Sequence, residues 1–184
     1  MKAFLGFCAA LTALAQPATA AGITYDCDTA ANHFSELSLP APGVPFTVTG
    51  AVQLNALAQS TTYVPLARVQ IAASTAPGKS PDAYAGFSLE ALPANAKQTP
   101  SGSPAVQMLT WNSAGKEDEV LPLSLLTKPG TVQAFTLTYD GSNVSLNLGN
   151  EAKSFRMKAA EPVVRIICST GEFLFTNLVI QPSR

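Results

Sequence analysis

The sequence predicts an all-β protein, an antiparallel sandwich of two sheets that carries one disulfide. Apolar and polar residues alternate in short runs, as in Phe46–Gln53 and Phe135–Tyr139. This period of two turns one face of a strand toward a core and the other toward water. Prolines, which central ladders exclude, separate the runs. Beyond the first twenty residues only Cys27 and Cys168 remain, one near each end.

The first twenty residues have the pattern of a secretory signal peptide. Lys2 supplies a positive charge, residues 3–15 form a short apolar run, and Ala18-Thr19-Ala20 is a small-residue cleavage site. We therefore expect a signal peptide over residues 1–20 and a single β-sandwich domain over residues 21–184. The apolar run is too short to span a bilayer, and no later stretch is long enough. These features predict a secreted or periplasmic protein, and the short alanine-rich signal is typical of bacteria.

The charge balance gives no reason to expect nucleic acid or anionic lipid as a partner. Without Lys2 the chain keeps ten basic residues against 12 acidic ones, a net charge of −2. Charged residues make up 12% of the sequence, about half the usual share. The surface must therefore rely on hydroxyl and amide side chains, as in many exported β-proteins.

Two cysteines in an exported chain are more often paired than free. We therefore predict a Cys27–Cys168 disulfide between the first and last strands. Because the loop it closes is long, the chain-entropy model gives about 5 kcal/mol of stabilisation. A structural zinc site is a poor alternative, since His33 is the only histidine and such sites need four ligands.

The remaining pattern predicts about eleven strands in one domain. In chain order, the alternating runs lie near residues 46–53, 68–71, 87–90, 106–111, 135–139, 144–148 and 155–157. Asp140-Gly141 between two such runs is a strong hairpin signal, and Gly115-Lys116 is a weaker one. The proline-containing segments Thr75–Asp82 and Pro93–Pro104 are either plain connections or the rim of a binding site.

Two stretches resemble the concanavalin A-like lectin/glucanase superfamily, which includes laminin-G-like modules. They are the hairpin Phe135–Gly149, with its Tyr139-Asp140-Gly141 turn, and Val163–Ile180. The resemblance implies a concanavalin A-like jelly roll in which a glycine turn at Gly171 precedes the last strand. It also implies neighbouring terminal strands, consistent with the predicted disulfide. The superfamily contains lectins, hydrolases, lyases and adhesion modules, so the resemblance does not select an activity.

No catalytic constellation stands out. The glucanase branch carries Glu-x-Asp-x-Glu on one strand, whereas Lys116-Glu117-Asp118-Glu119 places only two carboxylates on one face and lacks the third. We interpret this run as a solvated hairpin. A lyase needs a base such as Tyr or His, and His33 near the N-terminus is more typical of a loop or strand edge. We therefore predict a binding protein with no catalytic residues.

The candidate ligand-binding residues are Trp111, Arg68, Gln70 and Gln107. Trp111, the only tryptophan, would stack on a sugar while the other three hydrogen-bond to it; the alternative places Trp111 in the core. The expected ligand is a glycan or a cell-envelope polymer. The alternatives are a polysaccharide hydrolase or lyase with unrecognised residues, and a structural or adhesion protein that binds a protein partner. We predict no metal site and no cofactor, although carboxylates at Asp26, Asp28 and Asp140 leave calcium open.

Overall fold

The computed structural model describes residues 22–58, 63–76, 78–93, 105–114, 119–120, 126–127 and 129–183, with the backbone alone for those from 92 to 127. The predicted signal peptide, most of the Pro93–Pro104 segment, and the residues Glu117 and Asp118 lie outside these ranges. The described chain forms an antiparallel β-sandwich, so the predicted fold class is confirmed. None of the described residues forms a helix long and apolar enough to cross a membrane.

Eleven strands follow one another in the described ranges. They are β1 (Ile23–Pro40), β2 (Phe46–Leu57), β3 (Leu66–Ala73), β4 (Tyr84–Pro93), β5 (Ala105–Ala114), β6 (Glu119–Val120), β7 (Leu126–Thr127), β8 (Gln133–Tyr139), β9 (Asn143–Leu148), β10 (Glu151–Arg156) and β11 (Pro162–Pro182). The predicted Asp140-Gly141 hairpin joins β8 to β9. The Thr75–Asp82 segment connects β3 to β4.

Strand β11 belongs to both sheets. Its second half, from Gly171, pairs with β2 and completes a first sheet in the order β10-β9-β8-β2-β11-β1. Its first half, up to Ser169, pairs with β3 and completes a second sheet in the order β1-β11-β3-β4-β5, where β5 also pairs with β6 and β7. Strand β1 runs beside β11 in both sheets.

The crossing of β11 between the sheets occurs at Thr170. This residue has φ 55°, in the left-handed region that β-branched residues rarely adopt. The irregularity shifts the alternation, so that Cys168 is buried before it and Phe173 after it. The predicted turn at Gly171 is wrong, because Gly171 lies within one continuous strand. The Thr29 hydroxyl donates to the Gly171 carbonyl at 2.9 Å and accepts from the Gly171 amide at 3.2 Å.

Aromatic side chains fill the space between the sheets. Phe87 of the second sheet packs against Phe135 of the first, with ring centroids 5.3 Å apart. A Cβ at position 50 would lie 2.7 Å from the Phe135 ring, so any residue other than glycine would require that ring to shift. Phe46 and Tyr139 meet edge to face at 5.8 Å. Such pairs contribute beyond the area they bury. The Phe87–Phe135 pair joins the two sheets, whereas the Phe46–Tyr139 pair lies within the first sheet.

The Cys27–Cys168 disulfide is present, as predicted, with the two Cα atoms 6.4 Å apart. Cys27 lies on β1 opposite Phe173 of the first sheet, and Cys168 lies on β11 opposite Ala67 of the second. Both cysteines are fully buried. The bond therefore ties the two sheets together beside the crossing of β11.

Candidate functional site

The second sheet buries polar side chains on the face that points away from the core. Gln70, Ser88 and Arg165 are 2%, 0% and 6% exposed, respectively. They alternate along their strands with core residues such as Val69 and Phe87. We call this surface the arginine face and define it by Glu36, Arg68, Gln70, Ser88 and Arg165. Polar groups buried this deeply usually have hydrogen-bond partners that compensate for lost water.

Arg165 and Glu36 form the first pair on this face. The Arg165 Nε and Nη2 atoms donate to the two carboxylate oxygens of Glu36, at 2.9 and 2.7 Å. The hydrogen bonds and charge of Arg165 lower the pKa of Glu36 below its usual value, and a hydrogen bond from Ser38 acts in the same direction. This bidentate pair leaves the Arg165 end of the face with no net charge.

Arg68 is held differently from Arg165. It lies directly opposite Ser88 on β4, and its Nε donates to the Ser88 hydroxyl at 3.0 Å. Its two terminal nitrogens have no hydrogen bond or ion pair to another described residue. One edge of the guanidinium is therefore fixed, and the other remains available to an acceptor in a half-buried position.

Gln70 lies between the two arginines. It is opposite Arg165 on one side and opposite Gly86 on the other. A Cβ at position 86 would come within 2.7 Å of the Gln70 Cα, so the residue facing Gln70 has to be glycine. Because Gln70 is 2% exposed, other atoms of the chain already cover its side chain. Gln70 therefore helps to pack the face between the two arginines and offers little surface to a ligand.

Two half-buried residues of β4 share the arginine face and were missed at the sequence level. Tyr84 lies diagonally from Gln70, and Glu90 lies diagonally from Arg68, at separations that side chains of this length can bridge. The signal was the same alternation that predicted Ser88 and Glu90 to face outward. Extending it four residues back from Ser88 would have found Tyr84.

The four predicted ligand residues occupy two different sets of alternating positions in the second sheet. Arg68 and Gln70 belong to the arginine face. Trp111 pairs with Phe87, and Gln107 pairs with Ala91, so these two backbone positions are in register with core residues. Their side chains lie outside the described part of the protein. A role in binding stays a prediction for all four residues. The register does not bring Trp111 and Gln107 into line with Arg68 and Gln70.

The described residues contain no group of three or more His, Cys, Asp or Glu side chains placed to hold a metal ion. The Asp140 carboxylate accepts hydrogen bonds from the backbone amides of Ser142 and Asn143, both at 2.7 Å. Together with the Asn143 side chain, these bonds lower the pKa of Asp140 and stabilise the turn. His33 is exposed on β1, with Nδ1 2.8 Å from the carbonyl of Ala31.

Comparison with known proteins identifies the fold. No family model matches the chain, and no curated protein matches it. Among solved structures, a family 18 polysaccharide lyase has a TM-score of 0.56 at 7% identity, covering 91% of this chain and 90% of its own. An alginate lyase from Alteromonas sp. 272 has a TM-score of 0.53 at 7% identity, covering 79% and 77%. A carbohydrate-binding module from Bacillus subtilis, CBM66, has a TM-score of 0.48 at 8% identity, covering 80% and 81%.

These identities show a shared fold and nothing about activity. The chain has the concanavalin A-like jelly roll that the sequence resemblance implied.

Proposed function

We propose that this protein is exported and binds an acidic glycan along the arginine face. The observation that carries the proposal is Arg68, whose Nε donates to Ser88 at 3.0 Å while its terminal nitrogens bond to no other described residue. The Arg68 side chain is half-buried, so an acceptor can reach it where water is partly excluded. Hydrogen bonds from a charged donor are stronger than those between neutral groups.

Arg68 gives the site its preference for an acidic sugar. Its Nε is fixed by Ser88, so the two terminal nitrogens form a preoriented fork of the kind that binds a carboxylate with two parallel hydrogen bonds. Arg165 lacks this capacity because Glu36 already occupies two of its nitrogens. The single available fork therefore favours one uronate carboxylate in contact with Arg68.

Tyr84 supplies an aromatic surface at the margin of the face. Its ring is half-buried and lies diagonally from Gln70, where it can pack against the apolar face of a sugar. Trp111 remains the second candidate for that role. Neither aromatic is required for the charge preference, which depends on Arg68.

Titration calorimetry on the protein without residues 1–20 tests the charge preference. Oligogalacturonate should bind, whereas a neutral β-glucan oligomer should not. Arg68→Met keeps the apolar stem and removes the fork, and it should weaken binding roughly 10- to 100-fold, the range for hydrogen bonds to a charged group. Arg156→Met is the matched control, because Arg156 is exposed on β10 of the first sheet. Equal affinity in the two variants contradicts the proposal.

A lyase is the second candidate, and Tyr84 is the observation that favours it. Elimination at a uronate needs a neutralised carboxylate and a nearby base for the proton on the adjacent carbon. Arg68 and Tyr84, both half-buried on one face, provide these groups. A lyase would release unsaturated uronate, detected by its ultraviolet absorbance, and Tyr84→Phe should stop the reaction while binding persists. Binding without product leaves the glycan-binding function alone.

A further inference from the structure

Strand β1 has a free edge. One side of β1 pairs with β11 from Ile23 to Pro40, and no other described strand pairs with β1. A free edge presents unpaired backbone amides and carbonyls that another strand can bind. Proteins usually protect such edges with charges, bulges or prolines.

The part of β1 from Phe34 to Pro40, here called the edge segment, lacks most of this protection. Its register with β11 is uninterrupted, because the bulge in β1 lies earlier, between Thr29 and Phe34. Its only charged residue is Glu36, whose carboxylate is held by Arg165 of the same chain. The edge segment is therefore a regular strand with no free charge and a proline only at its end.

The edge segment also exposes apolar side chains. Phe34 is 61% exposed. On the opposite face of the strand, Leu37 and Leu39 are only partly buried, where they pack against the margin of the core. A strand added at this edge would cover all three side chains and supply the missing backbone hydrogen bonds.

We propose that two copies of this chain pair antiparallel through their edge segments, with the twofold axis at Leu37. This register places Leu37 opposite Leu37 of the second copy, and Ser35 opposite Leu39 of the second copy. The core-facing sides of the two edge segments therefore meet. On the other face Phe34 lies opposite Pro40. Every apolar side chain of the segment that is exposed at the edge thereby gains a neighbour.

Charge selects this register over its neighbours. With the axis at Leu37, Glu36 lies opposite Ser38 of the copy, and no like charges face each other. Moving the axis to Glu36 would place two carboxylates in direct opposition, which is unfavourable across a strand pair. Moving it to Ser38 would leave Phe34 without a residue opposite.

Pairing of this kind joins the second sheets of the two copies into one continuous sheet. A twofold axis perpendicular to the sheet leaves both arginine faces on the same side. A long polymer that binds one face would then reach the other, with the avidity of two linked sites. The dimer itself needs no ligand, so its test is independent of the glycan proposal.

Sedimentation of the ligand-free protein measures the dimer, and Ser38 variants test its register. Ser38 is exposed, and both substitutions remove its hydrogen bond to Glu36, so the comparison between the two variants isolates the effect of the new charge. Ser38→Glu places a second carboxylate opposite Glu36 at two symmetric positions, and it should weaken dimerisation about tenfold. Ser38→Lys places an opposite charge there and should maintain or strengthen the dimer. A wild-type protein that is monomeric at high micromolar concentration, or two variants with the same dissociation constant, overturns the proposal.

Cysteine cross-linking locates the twofold axis. Leu37→Cys should form an intermolecular disulfide under mild oxidation, because residues directly opposite in a strand pair have Cα separations within disulfide range. Leu39→Cys is the matched control on the same face of β1, opposite Val164 and away from the native disulfide. In the proposed register it is four residues out of line with its own copy, beyond the reach of a disulfide. Equal cross-linking of the two variants overturns the register.

Discussion

Replacing Glu36 by glutamine should destabilise the protein, because the change leaves the Arg165 guanidinium without its counter-charge. The Arg165 side chain is 7% exposed and that of Glu36 is 23% exposed. Removing one partner of a fully buried ion pair costs about 3–5 kcal/mol, whereas exposed pairs contribute about 0–1 kcal/mol. Since water reaches part of Glu36, we expect Glu36→Gln to lower the unfolding free energy by about 2–3 kcal/mol at neutral pH.

The same pair predicts a pH dependence. The pKa of Glu36 is lower in the folded protein than its usual value of 4.5, chiefly because of the hydrogen bond from Arg165. A carboxyl with a lowered folded pKa stabilises the native state above its unfolded pKa, and this contribution is lost as pH falls through the folded pKa. Stability should therefore fall on acidification below about pH 4.5, and the fall should be shallower in Glu36→Gln.

Urea denaturation at one protein concentration, repeated between neutral and acidic pH, checks both expectations. Glu172→Gln is the control, since Glu172 also accepts a hydrogen bond, from exposed Asn55 at 2.9 Å. It should cost less than about 0.5 kcal/mol. The double variant Glu36→Gln/Arg165→Met should recover much of the loss, because a buried pair replaced by apolar packing is often neutral. Equal losses in the Glu36 and Glu172 variants refute the reasoning.

Three further predictions concern the disulfide, the crossing and the tryptophan. Non-reducing mass spectrometry of protein isolated without reductant should recover Cys27 and Cys168 in one linked peptide, and free thiols at both positions would contradict it. Thr170→Gly should raise the unfolding free energy by about 1 kcal/mol, because Thr170 has a positive φ and a buried hydroxyl without a partner; a lower melting temperature argues against this. If Trp111 lies in the core, Trp111→Ala should lower the unfolding free energy by about 3–5 kcal/mol. If Trp111 instead stacks on the glycan, the same change should weaken binding by roughly 1–3 kcal/mol, by analogy with base stacking.

The sequence predicted most strands because each has one face in the core. Phe135, Leu137 and Tyr139 alternate with polar residues, and all three are buried. A first strand carrying Cys27 was predicted, but its extent to Pro40 was not, although β1 is one of the two longest strands. It carries polar residues on both faces near Asn32 and His33, where it bulges and Asn32 has φ 63°. Pairing with β11 forms this strand, and local pattern does not show such pairing.

The candidate site was predicted in part. Arg68 and Gln70 were identified because β3 alternates without interruption. Arg165 was missed, although a charge within the apolar run Val163–Ile167 is itself a signal of a buried ion pair. Its partner Glu36 lies 129 residues away in sequence, on a part of β1 that the sequence pattern did not identify as strand. Only the three-dimensional pairing of β1 with β11 reveals that connection.

The crossing of β11 explains why faces could be assigned on some strands and not on others. Alternation assigns a side chain to a face only while the register is unbroken, and one extra residue exchanges the two faces. Threonine rarely adopts a left-handed conformation, so the sequence at Thr170 does not predict that the two faces are exchanged there. Asn177, with φ 52°, marks a second shift between Thr176 and Val179. The register of β3 with β4 has no such shift, and that is where the sequence located two residues of the arginine face.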